Sequence, residues 1–466
     1  MKDMILHMNP LRRKKIGTLF AVSLSSFMTA YMGSSINIAL PLIGREFSLA
    51  PSFLGWITMT YLLSTAVFLL PSGMCSDIRG RKKVFITGCV IIILASAGCV
   101  LSPTGKALLF FRIIQGSGAA MLFASSSPII TTAFSPEKRG KVLGISVAAV
   151  YLGLSAGPFL GGILAHWCGW RSLFYFNIIA MFVSLISGYR MIVPDVIDKS
   201  HHGKKFDIAG AILSGSGILC CMTGLTRITS RPGIPLAFAG TALLVLFLFH
   251  ELKTQAPLVP VRVFRRNRVF IFSNLAAMIN YSSTFAISFF LSLYLQYIKG
   301  YTPDRAGLIL IAQPVLQAIL SPAAGKLSDS RDPRVLSSAG MGIIASALLV
   351  FALYPGVLPV WLIITLLSIL GVGFALFSSP NTNSVLGSVE YRHLGTASSV
   401  LSIMRVLGQV MSMAVAILLM AHFTGSGRID ADNSENFLSA LRVGFIIFSA
   451  LCLAGIPASW ARGGKK

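Results

Sequence analysis

The chain has 466 residues, of which 55% are hydrophobic and only 12% charged, with a mean hydropathy of +0.78 and a formal net charge of +24. A water-soluble protein of this length needs far more charge to cover its surface. The positive balance is not a nucleic-acid footprint, because the basic residues sit in short segments between apolar blocks and form no basic domain.

The apolar blocks are each about 20 residues or longer, enough to cross a hydrocarbon core of about 30 Å. Every backbone N–H in lipid must be satisfied internally, so such blocks are helices or closed barrels. Alternating apolar/polar tenmers are absent, which excludes the barrel. In chain order the spans fall near 16–43, 53–73, 84–102, 107–134, 141–166, 172–193, 207–226, 234–251, 269–298, 305–326, 335–354, 358–380, 394–421 and 437–461. The basic run Arg12-Arg13-Lys14-Lys15 leads into an apolar stretch too long for the core of a signal peptide. The seven cysteines are scattered without a C-x-x-C pair and read as small apolar helix residues.

Fourteen spans put both ends of the chain on one side. With the N-terminus inside, 28 of the 39 Lys and Arg lie on that side, eight lie opposite, and Arg112, Arg405 and Arg442 fall within spans. The bias predicts cytoplasmic termini in a plasma (inner) membrane. The longest connections lie near 194–206, 252–268 and 422–436, leaving no room for a soluble catalytic domain.

The chain also repeats itself. Gly73-x-x-x-Asp77 with its following basic residues recurs as Gly325-x-x-x-Asp329 followed by Arg334, an offset of 252 residues that also carries Pro128 onto Pro380. The expected organisation is an N-terminal six-helix bundle (1–193), a linker with two extra helices (194–266) and a C-terminal six-helix bundle (267–466). Parallel halves of this kind hold a cargo site at their interface near the midplane and give alternating access by rocking.

Several segments carry a resemblance. Gly73-Met-Cys-Ser-Asp77-Ile-Arg79-Gly80-Arg81-Lys82 follows span two, Arg112-Ile-Ile-Gln115-Gly116 lies in span four, and Gly153-Leu-Ser-Ala-Gly157-Pro158-Phe-Leu-Gly161-Gly162 lies in span five. With Asn37-Ile-Ala-Leu-Pro41 and Trp167-Cys-Gly-Trp170-Arg171, these resemble the motifs of major facilitator superfamily transporters. The similarity is to the fourteen-spanner drug:proton antiporters of EmrB/QacA type, over nearly the whole chain. It implies an all-α integral membrane protein with the major facilitator fold, two six-helix bundles and two extra central helices. It also implies export of hydrophobic or drug-like molecules in exchange for protons, with a proton gradient and no cofactor. The partners expected are the lipid bilayer and a small-molecule substrate, with no nucleic acid, and the transporter is read as a monomer. Nothing in the chain pairs a nucleophile with a base or clusters metal ligands, so an enzyme is not expected.

Roles can be assigned on physical grounds. Asp77, Arg81 and Glu137, with Gly73, Gly80 and Asp329, are the candidates for an ionic latch that holds the inner face shut. Arg79, Lys82 and Lys83 read as topology-setting basics, and Ile78 stands where the family usually has Arg. Gly153, Gly157 and Gly161 form a smooth stripe at four-residue spacing, with Gly162 beside it, and Pro158 permits a bend. Arg112 lies roughly six residues, about 9 Å, inside span four, and Arg405 about 16 Å inside span thirteen. Charges at such depth must face the interior and be paired, so both, with Gln115, are coupling candidates. Asn37, Tyr61, Asn280, Tyr281, Gln313, Gln317, Asn381 and Gln409 are the candidates for lining a cleft.

One feature departs from the family. Related antiporters place an Asp in span one five residues before the Asn of the N-x-A-L-P segment, where this chain has Met32. All 15 acidic residues and all seven His fall in loops or at span ends. A proton antiporter ordinarily uses a buried carboxylate whose pKa desolvation raises. Either Asp77, Glu137 and Arg112 carry the coupling, or transport of a neutral or anionic metabolite or lipid-like molecule is weakly coupled. A transporter-derived ligand sensor is a further alternative, although the segment after Ser459 is short.

Overall fold

The computed structural model describes residues 10–193, 206–254, 257–259, 266–354, 357–390, 393–425 and 433–463. Within the helices, the side chains of residues 10, 11, 12, 136, 137, 140, 141 and 329 lie outside that description. Two of these, Glu137 and Asp329, belong to the expected latch.

Among the described residues, fourteen helices are long and apolar enough to span a bilayer, each between 19 and 35 residues. They are α1 (Arg13–Phe47), α2 (Pro51–Arg79), α3 (Arg81–Val100), α4 (Gly105–Ala133), α5 (Val142–Cys168), α6 (Ser172–Met191), α7 (Ile208–Thr226), α8 (Gly233–Lys253), α9 (Arg268–Ile298), α10 (Pro303–Ser328), α11 (Pro333–Leu353), α12 (Val360–Gly387), α13 (Leu394–Phe423) and α14 (Ser434–Ala461). The expected spans coincide with them, and no strand occurs among the described residues.

Local chemistry explains where the helices begin and end. Pro51, Pro303 and Pro333 open α2, α10 and α11, where a missing N–H costs nothing. Asp207, Asn267 and Asp332 cap α7, α9 and α11 by accepting from the N–H groups of Gly210, Phe270 and Arg334. Gly80, at φ 98°, turns the chain between α2 and α3 in a conformation that a side chain would disfavour. The interruption of α10 at Ile311 follows from Pro314, which cannot donate to the carbonyl four residues earlier. α9 is interrupted at Phe285 and ends in a π-helical turn, Tyr294–Ile298.

The helix pairings repeat. α1 packs on α5 and α6, α2 on α4, and α3 on α4 and α6; likewise α9 packs on α13 and α14, α10 on α12, and α11 on α12 and α14. Close backbone approaches refine the register. A side chain on Gly116 would strike the Tyr61 carbonyl, and one on Gly371 the Gln313 carbonyl; Gly153 and Gly408 meet Phe27 and Met278 in the same way. These pairs are offset by 252 in α2/α10 but by 255 in α4/α12 and α5/α13. The counterpart of Pro128 is therefore Asn383 rather than Pro380, because α11 is one residue longer than α3 and the connection before α12 (354–359) is two longer than that before α4 (101–104).

α7 lies against both α2 and α13, and α8 packs on α7. Asp207 also pairs with His250 at 3.0 Å, closing the end of this helix pair. Buried Glu251 accepts from the N–H groups of Leu258 and Val259, holding that segment beside the core. Exposed Trp167, Trp361 and Trp460 stand at helix ends, where membrane proteins concentrate amphipathic rings.

Candidate functional site

The two sets of helices are in close contact at the face opposite the chain ends. A side chain on Gly162 of α5 would come within 2.5 Å of the Pro303 carbonyl of α10, and one on Gly55 of α2 equally close to Ile417 of α13. Ser292 and Gln296 of α9 donate to the carbonyls of Asn37 and Ile38 at 2.8 and 3.0 Å. His166 stands 3.6 Å from Asp304 across the same seam.

Toward the face carrying both chain ends the halves separate. A cavity of about 1480 Å³ lies between α2 and α4 on one side and α13 and the segment 257–259 on the other. A second, of about 1020 Å³, parts α5 from α10 and α12. Above them two smaller chambers, about 780 and 640 Å³, share Leu154, Tyr281 and Phe285 and form the centre of the molecule. The cleft is thus shut on one face and open on the other.

Gly73, Asp77 and Arg81 line the open mouth. Asp77 lies on the last turns of α2, which continues through Arg79 instead of ending near 73 as expected. Its carboxylate is 4.0 Å from the Arg81 guanidinium, which also donates to the Pro128 carbonyl of α4 at 3.4 Å. The expected partners Glu137 and Asp329 fall at side chains outside the described set.

Arg112 is fully buried in α4, among helix carbonyls and ring faces. It donates to the carbonyls of Ile57 (3.2 Å) and Met32 (3.4 Å) and to Gln115 Oε1 (2.6 Å), with its guanidinium 4.4 Å from the centre of the Tyr61 ring. Gln115 in turn donates to Ser96 Oγ, which also accepts from Asn177. Tyr61 donates to the Thr29 carbonyl. The network joins α1, α2, α3, α4 and α6 without a carboxylate, and a guanidinium does not release its proton at accessible pH. One of the two carbonyls that Arg112 reaches belongs to Met32, the position where the resemblance leads one to expect an acid.

Arg405 of α13 is 8% exposed and faces the larger central chamber. One nitrogen donates to Thr382 Oγ1 at 3.0 Å, and the guanidinium lies 5.0 Å from the centre of the Tyr151 ring. Tyr151 of α5 and Tyr281 of α9 are joined hydroxyl to hydroxyl at 3.1 Å, a hydrogen bond between the two halves inside the cavity. Tyr61 and Gln409 share the chamber with Arg405. Asn37, Gln313 and Gln317 line the smaller one. Asn37 accepts from Thr58 through its oxygen, while its buried amide nitrogen has no partner.

Two of the expected lining residues lie elsewhere. Asn280 is fully buried away from the chambers, since its helix turns the adjacent Tyr281 into the cavity instead. Asn381 is drawn into the end of the second half, donating to the Ser273 carbonyl and accepting from buried Arg462. The glycine stripe of α5 also divides its duties: Gly153, Gly157 and Gly161 abut α1, while Gly162 abuts α10, and the Pro158 carbonyl abuts Gly307. Trp170 and Arg171 both donate to Glu46, clasping the α5–α6 turn to the end of α1. Tyr151 and Thr382 were not legible as site residues, because a tyrosine beside a glycine motif and a threonine in an apolar helix carry no distinctive spacing.

Comparison with known proteins agrees with this architecture. The Major Facilitator Superfamily profile matches residues 22–413 and, in a second register, 273–463. The chain is 28% identical over 447 residues to the riboflavin transporter RibZ of Clostridioides difficile (strain 630), covering 95% of this chain and 96% of that one. It is 28% identical to the methylenomycin A resistance protein of Bacillus subtilis (strain 168), over 86% of each. It is 27% identical to the multidrug resistance protein Stp of Mycobacterium tuberculosis, over 87% of this chain and 76% of that one. Among solved structures, a bacterial homolog of the human lysosomal transporter Spinster, inward-facing and occupied, superposes with a TM-score of 0.65 at 19% identity, covering 98% and 97% of the two chains. The xylose transporter XylE from E. coli in a partially occluded inward-open form superposes at 0.63 and 15% identity, over 96% and 97%. With fourteen apolar helices arranged as two repeated sets around a cleft, and a profile match along most of its length, this chain belongs to the Major Facilitator Superfamily of membrane transporters.

Proposed function

We propose that this protein exports amphiphilic, drug-like small molecules from the cytoplasm by alternating access. The observation that carries the reading is the central pair of chambers between the halves, closed at one face and reached from the other through the mouth beside Asp77 and Arg81. Resistance and export proteins among the relatives support the direction of transport. The excess of basic residues on the side of the chain ends supports cytoplasmic termini in the plasma membrane. In this reading the bundles 1–193 and 267–466 rock as a monomer about the chambers, and the pair α7–α8 travels with them.

The exchange of protons is the less supported part. Asp77, Glu137 and Arg112 are the groups available to it, and the chambers hold uncharged amides, hydroxyls and one arginine. Weakly coupled export of a neutral or anionic molecule fits that lining better. Purified protein in liposomes, given anionic, neutral and cationic fluorescent substrates with and without a pH gradient, tests both parts. Movement of substrate indifferent to the gradient removes proton exchange; no movement of any substrate removes the transporter reading.

A further inference from the structure

We infer that Arg405, with Tyr151 and Tyr281, forms a subsite that takes the acidic group, a carboxylate or its equivalent, of an amphiphilic cargo. The inference deepens the transporter reading by assigning a cargo class to the same cavity, and it rests on that reading only for the word cargo.

The argument starts from an electrostatic imbalance. Arg405 is almost entirely buried, and among the described residues no carboxylate lies within ion-pair distance of it. A buried charge without a counter-ion is strongly unfavourable unless its surroundings compensate. The compensation here is one neutral hydroxyl, Thr382, and the face of one ring, Tyr151. A guanidinium carries five donors in a planar fork, and Thr382 engages one of them. The group therefore keeps a bidentate donor face with no acceptor among the described residues, turned into the central chamber, the arrangement that suits a carboxylate.

The rest of the chamber says what else the ligand carries. Leu62, Val147, Val150, Leu154 and Val406 supply apolar wall, and Phe285 an aromatic one, so a small hydrated ion gains little there. An apolar body with an acidic end fills both requirements. The Tyr151–Tyr281 hydrogen bond crosses the halves beside the guanidinium; Tyr281 gives its proton to Tyr151, so an anion seated on Arg405 also meets the Tyr151 hydroxyl as a donor. Cargo held there touches α5, α9 and α13 together, which ties recognition to the helices that must move.

Three dansyl probes with one fluorophore and different ends test this: dansylglycine (carboxylate), dansylglycinamide (neutral) and dansylcadaverine (cation). Binding is read by fluorescence anisotropy with the full-length protein in lipid nanodiscs, empty discs subtracted. The expected result is at least tenfold tighter binding of dansylglycine than of dansylglycinamide, with dansylcadaverine weakest. Arg405→Gln brings the first two within twofold of each other, and Arg405→Lys keeps a reduced preference because the charge remains without the fork. Equal binding of the three by the wild-type protein overturns the subsite without any variant, and so does an unchanged ratio in Arg405→Gln. Liposome uptake of the same probes separates the two claims. Preferential binding of dansylglycine without its transport overturns the transporter reading and leaves the subsite standing, whereas equal transport of all three overturns the subsite alone.

Discussion

Arg112 reaches the backbone of two neighbouring helices and the side chain of Gln115, and among the described residues no carboxylate neutralises it. Arg112→Met should leave Gln115 Oε1 buried without its donor, a cost of about 1–3 kcal/mol. A lowered thermal midpoint in detergent, with residual transport, is the expected signature; unchanged stability removes the network role. Asp332 offers a pH-dependent case outside the spans. The hydrogen bond from Arg334 holds its carboxyl below the ordinary carboxylate range, and the same side chain caps α11. A depressed folded value contributes stability that is complete above the unfolded value, about 3.9, and is lost as pH falls through the folded one. Asp332→Ala should cost about 1 kcal/mol at neutral pH and progressively less in acid, which thermal melts at pH 7 and pH 3 would compare. At this scale the sequence was partly legible. A guanidinium deep in an apolar run announces itself through its cost, whereas Asn280 and Asn381 could not be told from cavity residues because a helical amide signals polarity but not the direction it faces.

Helix α5 does two jobs with one glycine-rich run. Three glycines let it lie against α1, and the fourth meets α10 at the closed seam between the halves. Gly162→Leu should pry that seam apart and favour the state open on the opposite face, because the Pro303 carbonyl is backbone and cannot swing away. Labelling of a cysteine placed near Asp304 should speed up severalfold; no change in labelling would argue against the seam. Asp77→Asn should slow transport severalfold with insertion intact, measured as initial rates in liposomes at matched protein content. Equal rates would dissociate Asp77 from the conformational cycle. Most spans were readable to within about four residues, since lipid demands a fixed apolar length and prolines mark the entries to α2, α10 and α11, whereas α2 and α12 run on past their expected ends near 73 and 380 to Arg79 and Gly387. The interruption of α9 at Phe285 and its closing π-turn were not readable, because they depend on packing between the halves that leaves no periodic trace.

For the molecule as a whole, the repeat was visible in Gly73 and Gly325 and became sharper in three dimensions, where paired backbone contacts revealed the three-residue shift ahead of α12. The asymmetry that matters for function is electrical. A cavity with a fixed positive charge and no acid of its own is cationic when empty and neutral when it carries a monoanion. In a cell with a negative interior, the vacant carrier is then drawn back inward by the voltage while the occupied one crosses without electrical resistance. If Arg405 takes an anionic cargo, each export cycle would move one negative charge out, worth about 2.3 kcal/mol per 100 mV, or roughly 50-fold in concentration. Potassium and valinomycin can impose such a voltage on vesicles without any pH difference. Dansylglycine efflux should then accelerate as the interior is made more negative, with the imposed voltage supplying the drive in the absence of a proton gradient.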